Sequence, residues 1–165
     1  MTAFKKLWLP ILSLLLIAGL WFALTSPDRA PQAVFSTLEG KRVALADLKG
    51  HMVLINFWAT SCPGCVKEMP QIADTYHQYH DKGFEVIAVA MPYDPPDNVI
   101  NYAKKNALPF PVVLDIDGKI SHLFGEVQVT PSSFVIDAQG NVVRRVIGEL
   151  NFADLRQLLT AQVAK

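Results

Sequence analysis

The chain contains only two cysteines among its 165 residues, Cys62 and Cys65, separated by two positions. Two cysteines are too few to staple a small disulfide-rich scaffold, and this spacing is too short for a structural disulfide that closes a long loop. A tetrahedral zinc site would need two further ligands, and no second cysteine pair supplies them. We therefore expect the pair to act chemically.

Excess charge of either sign is also lacking. Fifteen Lys and Arg residues balance fifteen Asp and Glu residues, and adjacent basic residues occur only in pairs such as Lys104-Lys105. Without a basic patch, the sequence lacks the electrostatic footprint of a nucleic-acid-binding protein. Internal repeats and low-complexity tracts are missing as well. With 51% hydrophobic residues, the chain has room for one domain with a buried core.

The N-terminus carries a long uncharged run, residues 7–24, which follows Lys5 and Lys6. As a helix, this run would span about 27 Å, close to the hydrocarbon thickness of a bilayer. The lysines favour a cytoplasmic N-terminus and an exported remainder, and Trp8 and Trp21 lie near the two ends, where interfacial aromatic residues occur. We predict a retained membrane anchor, with a cleaved signal peptide as the alternative.

The predicted organisation has three parts. Residues 1–25 form the anchor or signal segment, and residues 26–33 form a short extended tether with two prolines and no apolar periodicity. Residues 34–165 form the domain.

Within the domain, predicted strands alternate with predicted helices. Residues 52–58 and 85–90 are almost wholly apolar, which is typical of strands buried on both faces. The other predicted elements are a hairpin turning at Glu39-Gly40, a helix over 63–79, a helix capped by Asp97 or Asn98 and ending near 106, a strand over 112–114, a short helix over 120–124, a hairpin of 134–136 with 142–146, and a helix over 152–163. This order predicts an α/β fold, with a mixed sheet covered by helices.

Cys62 falls at the start of the predicted helix 63–79, directly after a buried strand, and Pro63 occupies the first helical position, where no N–H is needed. Unpaired amides and the helix dipole favour the thiolate there, and the thiolate is the form that attacks a disulfide. Cys65 lies on the apolar stripe of the helix together with Met69, Ile72, Tyr76 and Tyr79. We predict that Cys62 is the nucleophile and Cys65 the shielded, resolving thiol.

Two segments resemble a known family. Residues 55–70, INFWATSCPGCVKEMP, are similar to the active-site stretch of the TlpA/ResA-like membrane-anchored thioredoxins, and residues 129–143, VTPSSFVIDAQGNVV, resemble the family's second landmark. The similarity covers residues 34–165 and implies a thioredoxin fold that opens with an N-terminal β-hairpin extension. It also implies a thiol–disulfide oxidoreductase. Because no nucleotide or flavin motif is present, we expect no cofactor besides the Cys62–Cys65 disulfide.

The resemblance implies partners and a location. Members of this family typically reduce disulfides in client proteins, receive electrons through the membrane, and serve processes such as cytochrome c maturation. For this chain it implies a membrane protein as electron donor. It also implies a single-pass protein of the bacterial inner membrane, with its catalytic domain in the periplasm or outside the cell.

The resemblance also assigns roles to individual residues. The Thr130-Pro131 bond is expected to be cis and to pack against the cysteines, so that Thr130 offers backbone hydrogen bonds to an extended client. Glu68 is expected near the cysteines, where a partly buried carboxylate with a raised pKa could shuttle the Cys65 proton. Asn56 occupies the place of the buried aspartate of ordinary thioredoxins and cannot titrate.

Four further residues are predicted to contact the client: Trp58, Ser61, Pro63 and Gly64. Ser61 departs from the family pattern, which has tryptophan immediately before the first cysteine. Pro63 and Gly64 also differ from the usual intervening pairs, and these two residues influence thiolate stability and hence the reduction potential.

The alternative function is a copper-delivery or thiol-based metal-binding module on the same fold. His122 lies shortly before Pro131, and one copper-delivery relative of thioredoxins uses two cysteines and a distant histidine. In that relative the cysteines are three residues apart, whereas Cys62 and Cys65 are separated by two. No metal is therefore part of the leading prediction.

Overall fold

The structure is a computed structural model that describes residues 12–17, 21 and 28–163. Most of the predicted anchor or signal segment, including Lys5, Lys6 and Trp8, lies outside these residues. Residues 12–17 are helical and exposed. Within the described ranges, no helix combines the length and the apolar character that crossing a bilayer requires.

A five-stranded mixed sheet forms the centre of the domain. Its strands are β3 (Met52–Trp58), β4 (Phe84–Ala90), β5 (Val112–Leu114), β6 (Ser132–Ile136) and β7 (Val142–Ile147). Their spatial order across the sheet is β5-β4-β3-β6-β7. Strands β3, β4 and β5 run parallel, whereas β6 is antiparallel to both β3 and β7. All residues of β3 are buried, as expected for a central strand covered on both faces.

Helices cover both faces of the sheet. On one face, α1 (Pro63–Tyr79), α2 (Pro96–Lys105) and α4 (Phe152–Val163) pack over a hydrophobic cluster that includes Leu54 and Trp58 of β3. On the other face, α3 (Lys119–Leu123) and the segment before β3 cover a second cluster around Phe57. This arrangement confirms the predicted mixed sheet flanked by helices.

Two short strands precede the central sheet. β1 (Val34–Ser36) and β2 (Arg42–Ala44) pair antiparallel, and a 3-10 helix (Leu45–Leu48) follows them. Thr37 forms a bridge with Val113, which fixes this pair beside the edge strand β5.

The stretch predicted as a tether, residues 26–33, contacts the domain from residue 28 onward. Arg29 forms a bridge with Asn141, the Ala30 N–H donates to the Gly140 carbonyl at 3.0 Å, and Ala33 is buried.

The predicted bounds agree with the structure for β3, β5, α1 and α4. The predicted cap of α2 was wrong: Pro95 is the N-cap residue, the helix begins at Pro96, and no side chain caps it. Proline at the first helical position has the correct φ and needs no N–H acceptor, so the helix starts there. Asp97 lies in the first turn instead, where a negative charge is favourable.

The sheet topology brings four segments to the end of the sheet where β3 and β4 finish. The parallel strands β3 and β4 both end here. Strand β6 begins here and β7 ends here, because Phe57 pairs with Ser132 and Ser132 pairs with Ile147. The segments after β3, β4 and β7 and before β6 therefore converge on the start of α1.

Candidate active site

The two cysteines form a disulfide at the start of α1, with a Cα–Cα distance of 5.3 Å. Cys62 is the N-cap residue, and its Sγ accepts a hydrogen bond from the Cys65 N–H at 3.2 Å. Cys62 is partly exposed, whereas Cys65 is 0% exposed. An external thiol or disulfide can therefore reach only Cys62 in this conformation.

Thr130 and Pro131 lie beside the disulfide. Their peptide bond is cis, as predicted. A β-carbon placed on Gly64, between the cysteines, would lie 3.6 Å from Pro131 Cδ, so the proline ring packs against the turn that joins the two cysteines. The Pro131 carbonyl accepts from the Gly148 N–H at 2.8 Å, which connects this segment to the end of β7.

Glu68 lies one helical turn beyond Cys65 and is 1% exposed. Its Oε1 accepts from Asn56 Nδ2 at 2.9 Å, and its Oε2 accepts from the Leu150 N–H at 3.0 Å. Burial raises the pKa of Glu68 most strongly; the hydrogen bonds from Leu150 and then Asn56 oppose this effect, and the charge of Glu149 adds to it. The carboxyl is more deeply buried than the sequence predicted.

Asn56 positions the Glu68 carboxyl. It is the direct cross-strand partner of Ser133, and its Nδ2 donates to Ser133 Oγ at 3.0 Å as well as to Glu68. Because Asn56 is fully buried and neutral, it supplies a hydrogen bond to the carboxylate without adding a second charge.

Asp94, in the loop after β4, was missed by the sequence analysis. It is 4% exposed, and its carboxylate oxygens accept from the Thr60 N–H and from Thr60 Oγ1, both at 2.6 Å. These charge-assisted bonds fix the turn that leads into Cys62. The sequence could have indicated this contact, because β3 and β4 are parallel neighbours. An acidic residue that follows β4 therefore lies at the same end of the sheet as the residues that follow β3.

The same loop contacts Thr130. Tyr93 is exposed, and its hydroxyl lies 3.1 Å from Thr130 Oγ1. Val129 and Ile147 are exposed as well, and Ile147 pairs with Ser132, directly after Pro131. Exposed apolar side chains therefore surround the cis-proline segment.

Glu149, in the loop after β7, is a second residue that the sequence did not indicate. Its Oε2 forms an ion pair of 2.7 Å with Lys67 Nζ. Its Oε1 lies 3.4 Å from the position a β-carbon on Gly64 would take. Finding this contact requires the register of β7, which the amino-acid pattern does not specify.

The prediction that Trp58 contacts the client was wrong. Its side chain is 0% exposed and packs against Tyr102, so a client cannot touch it in this structure. Trp58 is the last residue of a strand buried on both faces, which explains its position. Ser61 and Pro63 are exposed next to Cys62, and Gly64 is partly exposed.

The structure does not bring His122 to the cysteine pair. His122 is exposed and contacts Glu126, one turn further along the chain. Across the described part of the chain, no three His, Cys, Asp or Glu side chains form a group that could hold a metal ion.

The disulfide at a helix N-terminus, the cis-proline beside it and the mixed sheet beneath define the thioredoxin class of thiol–disulfide oxidoreductases. Residues 25–159 match the Redoxin family model. The chain is 40% identical to the thiol-disulfide oxidoreductase ResA of Bacillus thuringiensis subsp. konkukian over 131 residues, which cover 79% of this chain and 74% of that relative. The chain belongs to the Redoxin family, among the ResA-like thiol–disulfide oxidoreductases.

Solved structures agree with this assignment. A thiol:disulfide interchange protein of the thioredoxin family from Chlorobium tepidum TLS has a TM-score of 0.76 and 30% identity, covering 84% of this chain and 98% of its own. StoA from Bacillus subtilis has a TM-score of 0.68 and 26% identity, covering 81% and 99%. The comparisons confirm the resemblance predicted from the sequence.

The bonds to Asp94 predict a measurable contribution to stability. Asp94→Ala leaves the part-buried Thr60 N–H and hydroxyl without their charged acceptor and should lower the free energy of unfolding by about 1–2 kcal/mol, measured by urea denaturation of the oxidised protein. Asp74→Ala, an exposed position on α1, should change it by less than about 0.5 kcal/mol. Equal effects of the two substitutions would show that the Thr60 turn does not depend on Asp94.

Proposed function

We propose that this protein is an extracytoplasmic protein-disulfide reductase, with Cys62 as the attacking thiolate and Cys65 as the resolving thiol. The observation that carries the proposal is the unequal accessibility of the pair: Cys62 is partly exposed at a helix N-terminus, and Cys65 is buried one turn before Glu68. The helix N-terminus stabilises a thiolate at Cys62, and burial reserves Cys65 for the intramolecular step.

The reaction transfers two electrons in two exchange steps. In the first, the Cys62 thiolate attacks one sulfur of the client disulfide; a Cys62–client bond forms, the client bond breaks, and the other client sulfur leaves as a thiolate. In the second, Cys65 loses its proton and attacks Cys62 Sγ. The Cys62–Cys65 disulfide forms, and the second client sulfur leaves as a thiolate.

Glu68 accepts the Cys65 proton in this proposal. Because burial raises the pKa of Glu68, its carboxylate is a stronger base than an exposed glutamate and accepts a proton more readily, as a general base requires. Its hydrogen bonds to Asn56 and Leu150 hold it on the helix face that also carries Cys65.

The client docks at the surface around Thr130 and Pro131. Exposed Tyr93, Val129 and Ile147 provide apolar contact area there, while Thr130 presents backbone groups beside the disulfide. Such a surface fits an extended, partly apolar segment of a protein. Ser61, Pro63 and Gly64 contact the client cysteine itself.

The electrons come from a dithiol on a membrane protein, which reduces the Cys62–Cys65 disulfide by the same exchange in reverse order. We place the catalytic domain, residues 34–165, on the outer side of the bacterial inner membrane, with residues 26–33 as tether and residues 1–25 as anchor. Residues 28–33 of this tether contact the domain. The uncharged run over residues 7–24 after two lysines supports this orientation. We also propose a role in cytochrome c maturation, which the family resemblance of residues 55–70 and 129–143 implies.

The cysteine roles predict different outcomes for two serine variants. Cys62→Ser should abolish reduction of a client disulfide, because the attacking sulfur is lost. Cys65→Ser should accumulate a mixed disulfide on Cys62, because the resolving thiol is lost; non-reducing gel electrophoresis after alkylation detects it. Trapping on Cys65 in the Cys62→Ser variant, or unchanged turnover without Cys62, would contradict these assignments.

Burial of Glu68 predicts a specific dependence of stability on pH. Since burial raises the pKa of Glu68, the folded protein holds this proton more tightly than the unfolded chain does. The resulting stabilisation is present below the ordinary pKa of 4.5 and is lost as the pH rises through the folded-state value. Glu68→Gln cannot titrate, so its free energy of unfolding minus that of the wild type should increase with pH across this window.

Denaturant unfolding of the oxidised proteins at several pH values measures this difference. Glu39→Gln, in the exposed β1–β2 turn, is the matched control and should follow the wild type at every pH. Parallel curves for Glu68→Gln and the wild type would show that Glu68 has no raised pKa.

The proposed location is tested by fractionation. The full chain should remain with carbonate-washed membranes, whereas a variant with residues 1–27 replaced by a cleavable signal peptide should appear in the soluble exported fraction. If the protein expressed from the full sequence is found in the soluble exported fraction, its N-terminal segment, residues 1–25, is a cleaved signal peptide. A full chain found in the cytoplasm would contradict the extracytoplasmic proposal.

A further inference from the structure

Two acidic side chains lie near the turn that holds the cysteines, one buried and one exposed. Glu68 is buried beneath it, and Glu149 lies at the surface, with Oε1 3.4 Å from the β-carbon position of Gly64. Gly64 is one of the two residues between Cys62 and Cys65. The proposed function uses Glu68 and leaves Glu149 without a role.

Glu149 is held in this place by contacts on both sides. Its Oε2 pairs with Lys67 Nζ at 2.7 Å, and the adjacent Leu150 N–H donates to Glu68 at 3.0 Å. The Gly148 N–H donates to the Pro131 carbonyl at 2.8 Å. The loop is therefore anchored to the cis-proline segment before Glu149 and to the buried carboxylate after it.

We propose that Glu149 tunes the redox equilibrium of the cysteine pair: its carboxylate, placed against the Cys62–Cys65 turn and partly neutralised by Lys67, disfavours the Cys62 thiolate and makes the pair a stronger reductant. This inference rests on the proposed function, because it assigns the regulation of the same site. Glu149 acts through Cys62 and is a positioning residue, since it neither transfers a proton nor contacts a reacting sulfur.

The sign follows from the charges of the two redox states. Reduction of the Cys62–Cys65 disulfide by an external thiol pair, which is itself oxidised to a disulfide, adds two electrons and breaks the S–S bond. One proton goes to Cys65 to give a thiol, and Cys62 takes up a second proton except in the fraction that remains thiolate. A neighbouring carboxylate repels this thiolate and has no such effect on the neutral disulfide, so it favours the oxidised form and strengthens the reductant. The positive charge of Lys67 attracts the Cys62 thiolate and therefore favours the reduced form. Glu68 and Asp94 also carry carboxyl groups near the turn, and neither is substituted in the variants compared. The charge of Glu149 also adds to the raised pKa of Glu68, so Glu149→Gln makes Glu68 ionise more readily.

The effect should be modest and sensitive to salt. The Glu149 and Lys67 side chains are 46% and 68% exposed, so solvent screens their charges. Exposed charge pairs of this kind change equilibrium constants by about two- to fivefold.

The test is the equilibrium constant of the full chain, in detergent, with reduced and oxidised glutathione. Glu149→Gln should shift the equilibrium toward the dithiol by about two- to fivefold at low ionic strength, and Lys67→Gln should shift it toward the disulfide. The double variant should lie between the two. Both shifts should shrink at high salt, and the control Glu39→Gln, on the exposed β1–β2 turn, should give the wild-type constant.

A second readout is the alkylation rate of reduced Cys62 by iodoacetamide at a fixed neutral pH. Glu149→Gln should raise this rate, because the thiolate fraction increases. A purely structural role for the ion pair would shift both single variants in the same direction and would not respond to salt. An unchanged constant for Glu149→Gln at low salt, or a shift toward the disulfide, would overturn the proposal.

Because glutathione equilibration requires only the cysteine pair, its result is separate from that of the proposed function. If the wild type equilibrates with glutathione but fails to reduce protein disulfides, the client assignment fails and the tuning result still stands.

Discussion

The hydrogen bonds of one buried carboxyl group, Glu68, connect the parts of the structure on which the chemistry depends. Asn56 donates to it from the central strand β3, and the Leu150 N–H donates to it from the loop after β7. Glu68 itself belongs to α1, the helix that begins after Cys62. A carboxyl removed from water requires such partners, since an unpaired buried charge is strongly unfavourable. The same bonds hold the strand, the helix and the loop in a fixed relation around the disulfide.

The site has an inner and an outer side with different electrostatic environments. On the inner side, Cys65 and Glu68 are buried among apolar residues, where proton affinity is governed by burial and by a few hydrogen bonds. On the outer side, Cys62 and the pair of Lys67 and Glu149 meet solvent. In the proposed mechanism, the outer side governs attack on a client and the inner side governs internal resolution. The two sides are coupled, because the charge of Glu149 adds to the raised pKa of Glu68.

Much of this arrangement could be predicted from the sequence, because strong local patterns specified it. The apolar run over β3 and the stripe of α1 gave their bounds and the shielded position of Cys65. Full burial of Glu68 was not predictable from helical position, because it depends on Asn56 and Leu150, which come from distant parts of the chain. The contact of Glu149 with Gly64 depends on the register of β7, whose residues are mostly exposed and carry no strong pattern. Asp94 could have been found from the shared edge of the two parallel strands.

The central claim is that Glu68 exchanges a proton with Cys65, and NMR titration of the Glu68 side-chain carboxyl carbon tests it most directly. In the oxidised protein, the Glu68 pKa should lie above the ordinary value for glutamate. In the reduced protein, the titrations of Glu68 and Cys65 should be coupled, so that the carboxyl signal changes in two steps. A Glu68 signal that titrates at the ordinary value, and identically in both redox states, would contradict the account.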